Sequence, residues 1–422
     1  MKTIFRKACQ ILMMTAAVFA LASCTQNKPA ATEENEHETA LEFVMSMGMG
    51  WNLGNSMDAH EKGVSGETLW HDQAATQATF DKVKAAGFGS VRIPTTWMGH
   101  IGEAPEYKIE EAWMERVAEI VGYAKKSGLK VILNVHHDGF GAEKDESLRP
   151  VYWLALEEAA NDSAKNEAIK EKLSAVWSQI ATRFKDEGKY LVFETMNEIQ
   201  DGEWGNGRNR TDGGKQYDVL NQWNQVAVDA IRAAGGENET RYIGVPGYVC
   251  NPDLTIEHMV LPKDKVEGKL LVAVHSYDPW DYAGSGLHSE WGHTGKDIVE
   301  GTDESTYTGM LDRLYEKYVK NGIPVYLGEF GCVHRADERA EAFRKYYLEY
   351  VCKAMRDHQM TGFFWDNGYD LVGDDAFGLM NHATGEYIAN GEEIVKIMVD
   401  AWNNNDPEYT LEKVYEKAPA AE

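Results

Sequence analysis

Between residues 40 and 402 the chain alternates two hydrophobic patterns. Short, nearly unbroken apolar runs occur at Gly48–Leu53, Ser90–Ile93, Lys130–Val135, Tyr190–Phe193, Tyr242–Val245, Leu270–Val274, Pro324–Leu327 and Gly362–Trp365. A strand covered on both faces needs apolar residues at successive positions, so each run predicts a buried parallel strand. The stretches between the runs repeat apolar residues every third or fourth position, as an amphipathic helix does. Ile169, Leu173, Val176, Ile180 and Phe184 form one such stripe; Leu311, Leu314, Tyr315 and Tyr318 form another. Ala86-Gly87-Phe88, Ser127-Gly128-Leu129 and Asn321-Gly322-Ile323 each close a helix on glycine, the residue suited to the left-handed C′ position, and then open a strand.

Eight strand–helix repeats predict an α/β fold, a single (β/α)8 TIM barrel. A doubly wound open sheet is the competing architecture. It normally carries a glycine-rich phosphate turn after its first strand, whereas Gly48-Met49-Gly50 lies before or within a strand. No linker interrupts the repeats, so residues 40–405 are predicted as one catalytic domain. Segments 138–165 and 276–305, rich in Gly, Asp and Trp, are long loops that follow strand ends, where barrel active sites are built. Residues 406–422 form a C-terminal tail with a helix expected around Leu411–Tyr415.

The N-terminus breaks the pattern. Lys2, Arg6 and Lys7 precede an apolar stretch from Ile11 to Leu21, and Leu21-Ala22-Ser23-Cys24 closes it. This reads as a signal peptide over 1–23, too short for a spanning helix. Its last four residues resemble a bacterial lipobox, which implies a lipidated Cys24 and a polar tether over 24–39. An ordinary signal with an accidental cysteine is the alternative. The expected location is the cell envelope, as an outer-membrane lipoprotein, or otherwise the secreted fraction.

Charge narrows the partners. The chain carries 42 basic and 68 acidic side chains, net −26. Loss of 1–23 leaves 39 basic against 68 acidic groups, net −29. Such a surface repels nucleic acid and anionic lipid, leaving the lipid on Cys24 as the one membrane contact, and it suits a neutral substrate. Cys250, Cys332 and Cys352 are too widely spaced for a zinc pattern or a disulfide framework. A monomer is expected.

Candidate chemistry collects at the ends of the predicted strands. In chain order these carry Trp51, Asn52 and Asn55; Arg92 and Trp97; His136 and His137; Asn197 and Glu198; His275, Tyr277 and Trp280; Glu329; and Trp365. Glu198 and Glu329 each follow an apolar run. Two carboxylates at the mouths of different strands can face one another across a cleft, which is the equipment for cleaving a glycosidic bond.

These motifs resemble glycoside hydrolase family 5 of clan A, in particular the endoglucanases that open with Gly50-Trp51-Asn52-Leu53-Gly54-Asn55. The motifs are Val91-Arg92-Ile93-Pro94, His136-His137, Asn197-Glu198, His275-Ser276-Tyr277, Glu329-Phe330-Gly331 and Trp365, in order along residues 40–402. The resemblance implies retaining, endo-acting hydrolysis of β-1,4-glucan: cellulose, mixed-linkage glucan or xyloglucan. It assigns Glu198 as acid/base and Glu329 as nucleophile. A donor acid needs a raised pKa and a nucleophile must stay ionised, so Arg92 and Tyr277 are expected beside Glu329. Asn197 is expected on the sugar 2-hydroxyl, His136 in support of Glu329, and His275 as an orienting imidazole for Glu198 or Tyr277.

Trp365 is the expected stacking platform under the sugar. Trp51, Trp97, Trp204 and Trp280 are candidates for flanking subsites, with core packing equally able to account for each. Asn52 and Asn55 bind hydroxyls or cap a turn. His137 contacts sugar or is structural. Paired histidines also suggest a metal, but neighbours on a strand point to opposite faces, so no metal and no cofactor is expected. Three alternatives stay open: a β-1,4-mannanase or dual glucanase/mannanase on the same barrel, a surface glycan-binding lipoprotein, and a metal-dependent hydrolase.

Overall fold

The computed structural model describes residues 38–139, 151–202, 204 and 213–421. Eight parallel strands close into a barrel: β1 (Gly50–Leu53), β2 (Ser90–Ile93), β3 (Lys130–Asn134), β4 (Leu191–Glu194), β5 (Ile243–Pro246), β6 (Leu270–Ser276), β7 (Val325–Phe330) and β8 (Thr361–Asp366). Each pairs with its sequence neighbours, and β1 pairs with β8 to complete the ring. The helix after each strand packs outside: α1 (Gln77–Ala85), α2 (Glu111–Lys126), α3 (Ser163–Arg183), α4 (Lys215–Ala233), α5 (Pro252–His258), α6 (Glu304–Lys317), α7 (Glu338–Asp357) and α8 (Gly391–Asn403). This is the (β/α)8 barrel expected from the repeats.

Alternate strand residues serve two cores. Outward side chains such as Phe193 and Val245 join the helices' apolar faces in the main core, where α2 buries Val117, Ile120, Val121 and Ala124. Inward side chains Ile132, Val192, Leu271, Ala273, Tyr326 and Phe363 fill the lower barrel. A short helix, Ala40–Met45, closes that end. Its N-terminus is capped reciprocally by Thr39 and Glu42. Phe43 then stacks on Tyr242 with centroids 3.9 Å apart. The lower barrel is therefore a mainly apolar plug, and the charged inward residues Arg92, Glu194 and Glu329 lie in the upper layers.

Thr39–Glu422 forms one compact unit. The proposed signal, Cys24 and nearly all of the tether lie outside the described residues, as do 140–150 of the first long loop. The short helix Leu411–Tyr415 buries Val414, and Tyr415 stacks on His293 at 3.7 Å. Among the described residues no helix is long and apolar enough to cross a membrane. Among the described residues, a two-residue-per-strand hairpin, His60–Glu61 with Val64–Ser65, is the one strand pair outside the barrel.

Candidate active site

Arg92 is the hub of the upper barrel. Its inward position on β2 leaves the guanidinium with no solvent contact. Nη1 donates to Glu329 Oε1 at 2.8 Å and to Asn52 Oδ1 at 3.1 Å. Nη2 donates to Glu194 Oε1 at 2.7 Å and to Asn197 Oδ1 at 2.6 Å, and Nε reaches both Glu194 oxygens at 3.2 Å. Burial works against the charge, but Glu194 and Glu329 outweigh it and keep the guanidinium protonated.

Glu329 owes its aim to an irregularity in β7. Val274 pairs with Leu327 while the next β6 residue, His275, pairs with Glu329, so Gly328 is an extra residue. The same shift appears against β8. Without this bulge Glu329 would point outward, because Tyr326 already points in. With it, Glu329 Oε2 accepts from the Tyr277 hydroxyl at 2.9 Å and Oε1 from Arg92. Gly328 has to be glycine: a Cβ there would stand 2.8 Å from His275 Nε2.

Glu198 lies beyond the end of β4 and shares a 2.7 Å hydrogen bond with His275 Nδ1. Oxygens of Glu198 and Glu329 and a nitrogen of His275 lie within 4.8 Å of one another. Burial pushes Glu198 up to about 7, with Arg92 opposing and Glu194 reinforcing. Burial also raises Glu329, against the pull of His275, Arg92 and the Tyr277 hydroxyl. The two groups compete for one proton. Glu329 receives donors on both oxygens, one of them a fixed cation, while Glu198 meets only an imidazole that burial holds neutral at about 4. The proton therefore resides on Glu198.

The remaining candidates separate by depth. Asn197 Oδ1 faces Arg92, leaving its Nδ2 without a protein partner among the described residues. Trp365 lies nearly parallel to His136, 7° between planes and 6.0 Å between centroids. Trp280, 53% exposed, stands at the rim edge-on to Tyr277. Trp204 is exposed on the loop after β4. His137 is part-exposed beside Asp58, 3.8 Å away, and its ring is close to His60 and Trp70.

Asn52, Trp51 and Trp97 are not sugar contacts, and for the two tryptophans core packing is the reading that stands. Asn52 is wholly enclosed: its amide donates to the Gly328 and Phe363 carbonyls while its oxygen holds Arg92, so no sugar reaches it. Trp97 is fully buried with its indole N–H on the Asn134 carbonyl, and Trp51 is fully buried with its N–H on Asp366. Both are core residues. Asn55 is nearly buried in a turn at φ 58°, where the Asp58 carboxylate accepts its N–H and that of Ser56, so Asn55 sits in the turn and Asp58 caps it.

His136 and His137 do not face apart, as strand alternation would have them do. Strand β3 ends at Asn134, and beyond it the His136 and His137 rings come within 4.3 Å. With Asp58 they place three potential ligand atoms within 4.8 Å. The protonation of His136 nevertheless opposes a metal. Asn134 is oriented by accepting the Thr95 N–H and donating to Glu194, so its Nδ2 donates to His136 Nδ1 at 3.0 Å. The neutral ring then carries its proton on Nε2, the atom a metal would need. In the other cluster His275 is already hydrogen-bonded to Glu198.

Glu194 and Tyr326 escaped sequence reasoning. Glu194 sits inside an apolar run and Tyr326 reads as one of its kind. The available signal was parity: Glu194 alternates with the outward Phe193, so it points into the barrel.

Comparison with known proteins agrees with this architecture. A family model described as Cellulase (glycosyl hydrolase family 5) matches residues 54–371. Endoglucanase A of Paenibacillus barcinonensis is 33% identical over 388 residues, 88% of this chain and 92% of that protein. A solved structure described as a native Bacteroidetes-affiliated GH5 cellulase linked with a polysaccharide utilization locus is 60% identical, with TM-score 0.89 over 92% of this chain and 98% of its own. A GH5-4 broad specificity endoglucanase from Bacteroides salanitronis is 54% identical, with TM-score 0.83 over 87% of this chain and 96% of its own.

Proposed function

The chain belongs to glycoside hydrolase family 5, and we propose that it cleaves internal β-1,4-glucosidic bonds of glucans by a retaining double displacement. The observation that carries the mechanism is the approach of the two carboxyl groups, whose oxygens come within 4.8 Å. A retaining pair stands about 5–5.5 Å apart, whereas an inverting pair needs roughly 6.5–9.5 Å to admit a water.

Glu329 attacks the anomeric carbon while the Glu198 O–H gives its proton to the departing glycosidic oxygen. The C–O bond to the leaving chain breaks and a glycosyl ester of Glu329 forms. Glu198, now a carboxylate, takes a proton from water; the resulting hydroxide equivalent attacks the same carbon and releases Glu329. Arg92 and Tyr277 keep Glu329 ionised and oriented. The free Asn197 amide is placed to donate to a sugar hydroxyl, and Trp365 offers a face for the ring. The relative from Bacteroides salanitronis is described as broad in specificity, which favours a glucanase acting on several β-1,4-glucans. Proton NMR of the first product formed from cellotetraose tests the reading: β-anomer first supports retention, α-anomer first refutes it. Glu329→Ala should abolish turnover with the fold intact, and parent-level activity would refute the assignment.

The envelope location is part of the same proposal. Lys2, Arg6 and Lys7, the apolar stretch and Leu21-Ala22-Ser23-Cys24 support an acyl anchor on Cys24. Mass spectrometry of envelope-purified protein should find acylated Cys24 at the N-terminus. An unmodified N-terminus elsewhere would refute it.

A further inference from the structure

The two-carboxylate chemistry makes no use of Glu194, although this residue makes as many contacts as either catalytic glutamate. It has no solvent exposure. Besides Arg92, its carboxylate accepts from Asn134 Nδ2 at 2.9 Å and from the Tyr326 hydroxyl at 2.6 Å. Burial works against its charge, but Arg92 and the Tyr326 hydroxyl outweigh it and hold the carboxyl below its usual range.

The upper barrel therefore contains three carboxyl groups, Glu194, Glu198 and Glu329, and one fixed cation, Arg92. A fourth carboxyl, Asp58 beside His136 and His137, is coupled to Glu329, and burial raises it to about 7; the remaining facing groups add no charge. Asn52 from β1 and Asn134 from β3 are amides. Burial keeps His136 and His275 neutral, and it raises the thiol of Cys250, on the loop after β5. Strand β8 contributes Trp365, which does not titrate. With all three carboxyls ionised, two negative charges would go uncompensated in a nearly closed space. Uptake of one proton relieves this.

We propose that Glu194 is a positioning and charge-setting residue. By engaging Nε and Nη2 of Arg92 it leaves Nη1 aimed at Glu329, and by claiming part of the guanidinium charge it keeps the acid protonated on Glu198. This inference rests on the acid and nucleophile roles given above. It differs from simple neutralisation of a buried arginine, because it assigns Glu194 a share in setting the pH range of the reaction.

Glu194→Gln isolates the charge. The amide oxygen can still accept from Arg92 and Asn134, and the amide nitrogen can donate to Tyr326 once that hydroxyl turns. With Arg92 no longer shared, both Glu198 and Glu329 hold protons less tightly. The kcat/KM bell should move to lower pH on both limbs by about one unit, the low end for a nearby charge. Tyr326→Phe is the milder, opposite perturbation. Without the hydroxyl, Glu194 draws more on Arg92, so the bell should move upward by a few tenths of a unit. If Glu194→Gln does not fold, the Tyr326→Phe shift decides alone. A bell that stays put in the folded variants, whatever the fall in rate, overturns the inference and leaves Glu194 a structural counter-ion. Glu329→Ala, measured alongside, separates the two failures: if that variant remains active, the acid and nucleophile reading itself has failed.

Discussion

Glu198→Gln tests the raised acidity of the catalytic acid by a route independent of turnover. Glutamine has nearly the same shape and can still bond His275, but it cannot ionise. In the folded protein Glu198 titrates at about 7, against an ordinary value of 4.5. A carboxyl whose pKa rises on folding favours the folded state below its unfolded pKa, and that advantage is lost as pH climbs through the folded value. At 1.36 kcal/mol per unit, burying the ionised group costs about 3 kcal/mol at pH 8 and about 1 kcal/mol at pH 5. Glutamine removes this cost. Unfolding entropy for a unit of this length is about 0.8 kcal/mol per degree, so the variant should melt about 4 °C above the parent at pH 8 and about 1 °C above it at pH 5. Calorimetry across pH 5–8 reads the widening gap. A gap that stays constant with pH, or a variant no more stable at pH 8, would refute the assigned pKa. On polysaccharide the same variant should lose about 10²–10⁴ in kcat, the range for a lost general acid. Dinitrophenyl cellobioside, whose leaving group needs no proton, should suffer far less in its first step. Equal losses on both substrates would show that Glu198 is not the acid. In the parent, polysaccharide turnover should decline as pH rises beyond about 7, where Glu198 loses its proton.

Other parts of the site give further tests. Arg92→Lys replaces a fork that reaches Glu194, Glu329, Asn52 and Asn197 with a single ammonium that cannot span them, so one buried carboxylate loses its partner. A loss of about 3–5 kcal/mol in stability is expected by denaturant unfolding, and kcat/KM should fall at least about 100-fold. Unchanged stability would mean that the network adapts. Gly328→Ala pushes a Cβ against His275, so kcat should drop about 10-fold or more with KM little affected. An Ala variant with parent kinetics would show that the imidazole position does not matter. Exhaustive chelation should leave activity unchanged, since the His136 proton blocks the Asp58–His136–His137 cluster; activity lost on chelation and restored by a divalent ion would contradict that assignment.

The barrel was legible because strands buried on both faces leave unbroken apolar runs, and eight such runs separated by helical stripes have few alternative arrangements. The His60–Ser65 hairpin was not legible, since two-residue strands leave no run. Depth within the barrel was the other gap. Asn52, Trp51 and Trp97 occur in strand-end motifs, and sequence position alone does not separate a residue in the cleft from one a layer below it. Asn52 falls on the inward parity one layer down, where the only available partners are Arg92 and the carbonyls of β7 and β8. The histidine pair shows the converse error: alternation was applied past the end of β3, where the backbone no longer follows it.

The bulge at Gly328 explains why parity alone was insufficient for the nucleophile. Read strictly, Tyr326 and Gly328 point inward and Glu329 outward, into the helices. Glu329 reaches the cleft because one extra residue is inserted against both neighbouring strands. A side chain at that extra position would collide with His275 and come within 3.5 Å of Glu194. Two demands therefore meet at one residue. The bulge re-aims Glu329 toward Arg92 and Tyr277, and the missing Cβ lets His275 stand close enough to bond Glu198. Acid and nucleophile are thus coupled by backbone geometry as well as by charge. Any substitution at 328 should disturb the Glu198–His275 hydrogen bond and the aim of Glu329 together, whereas changes at Tyr277 should remove a hydrogen bond from Glu329 and leave the Glu198–His275 bond in place.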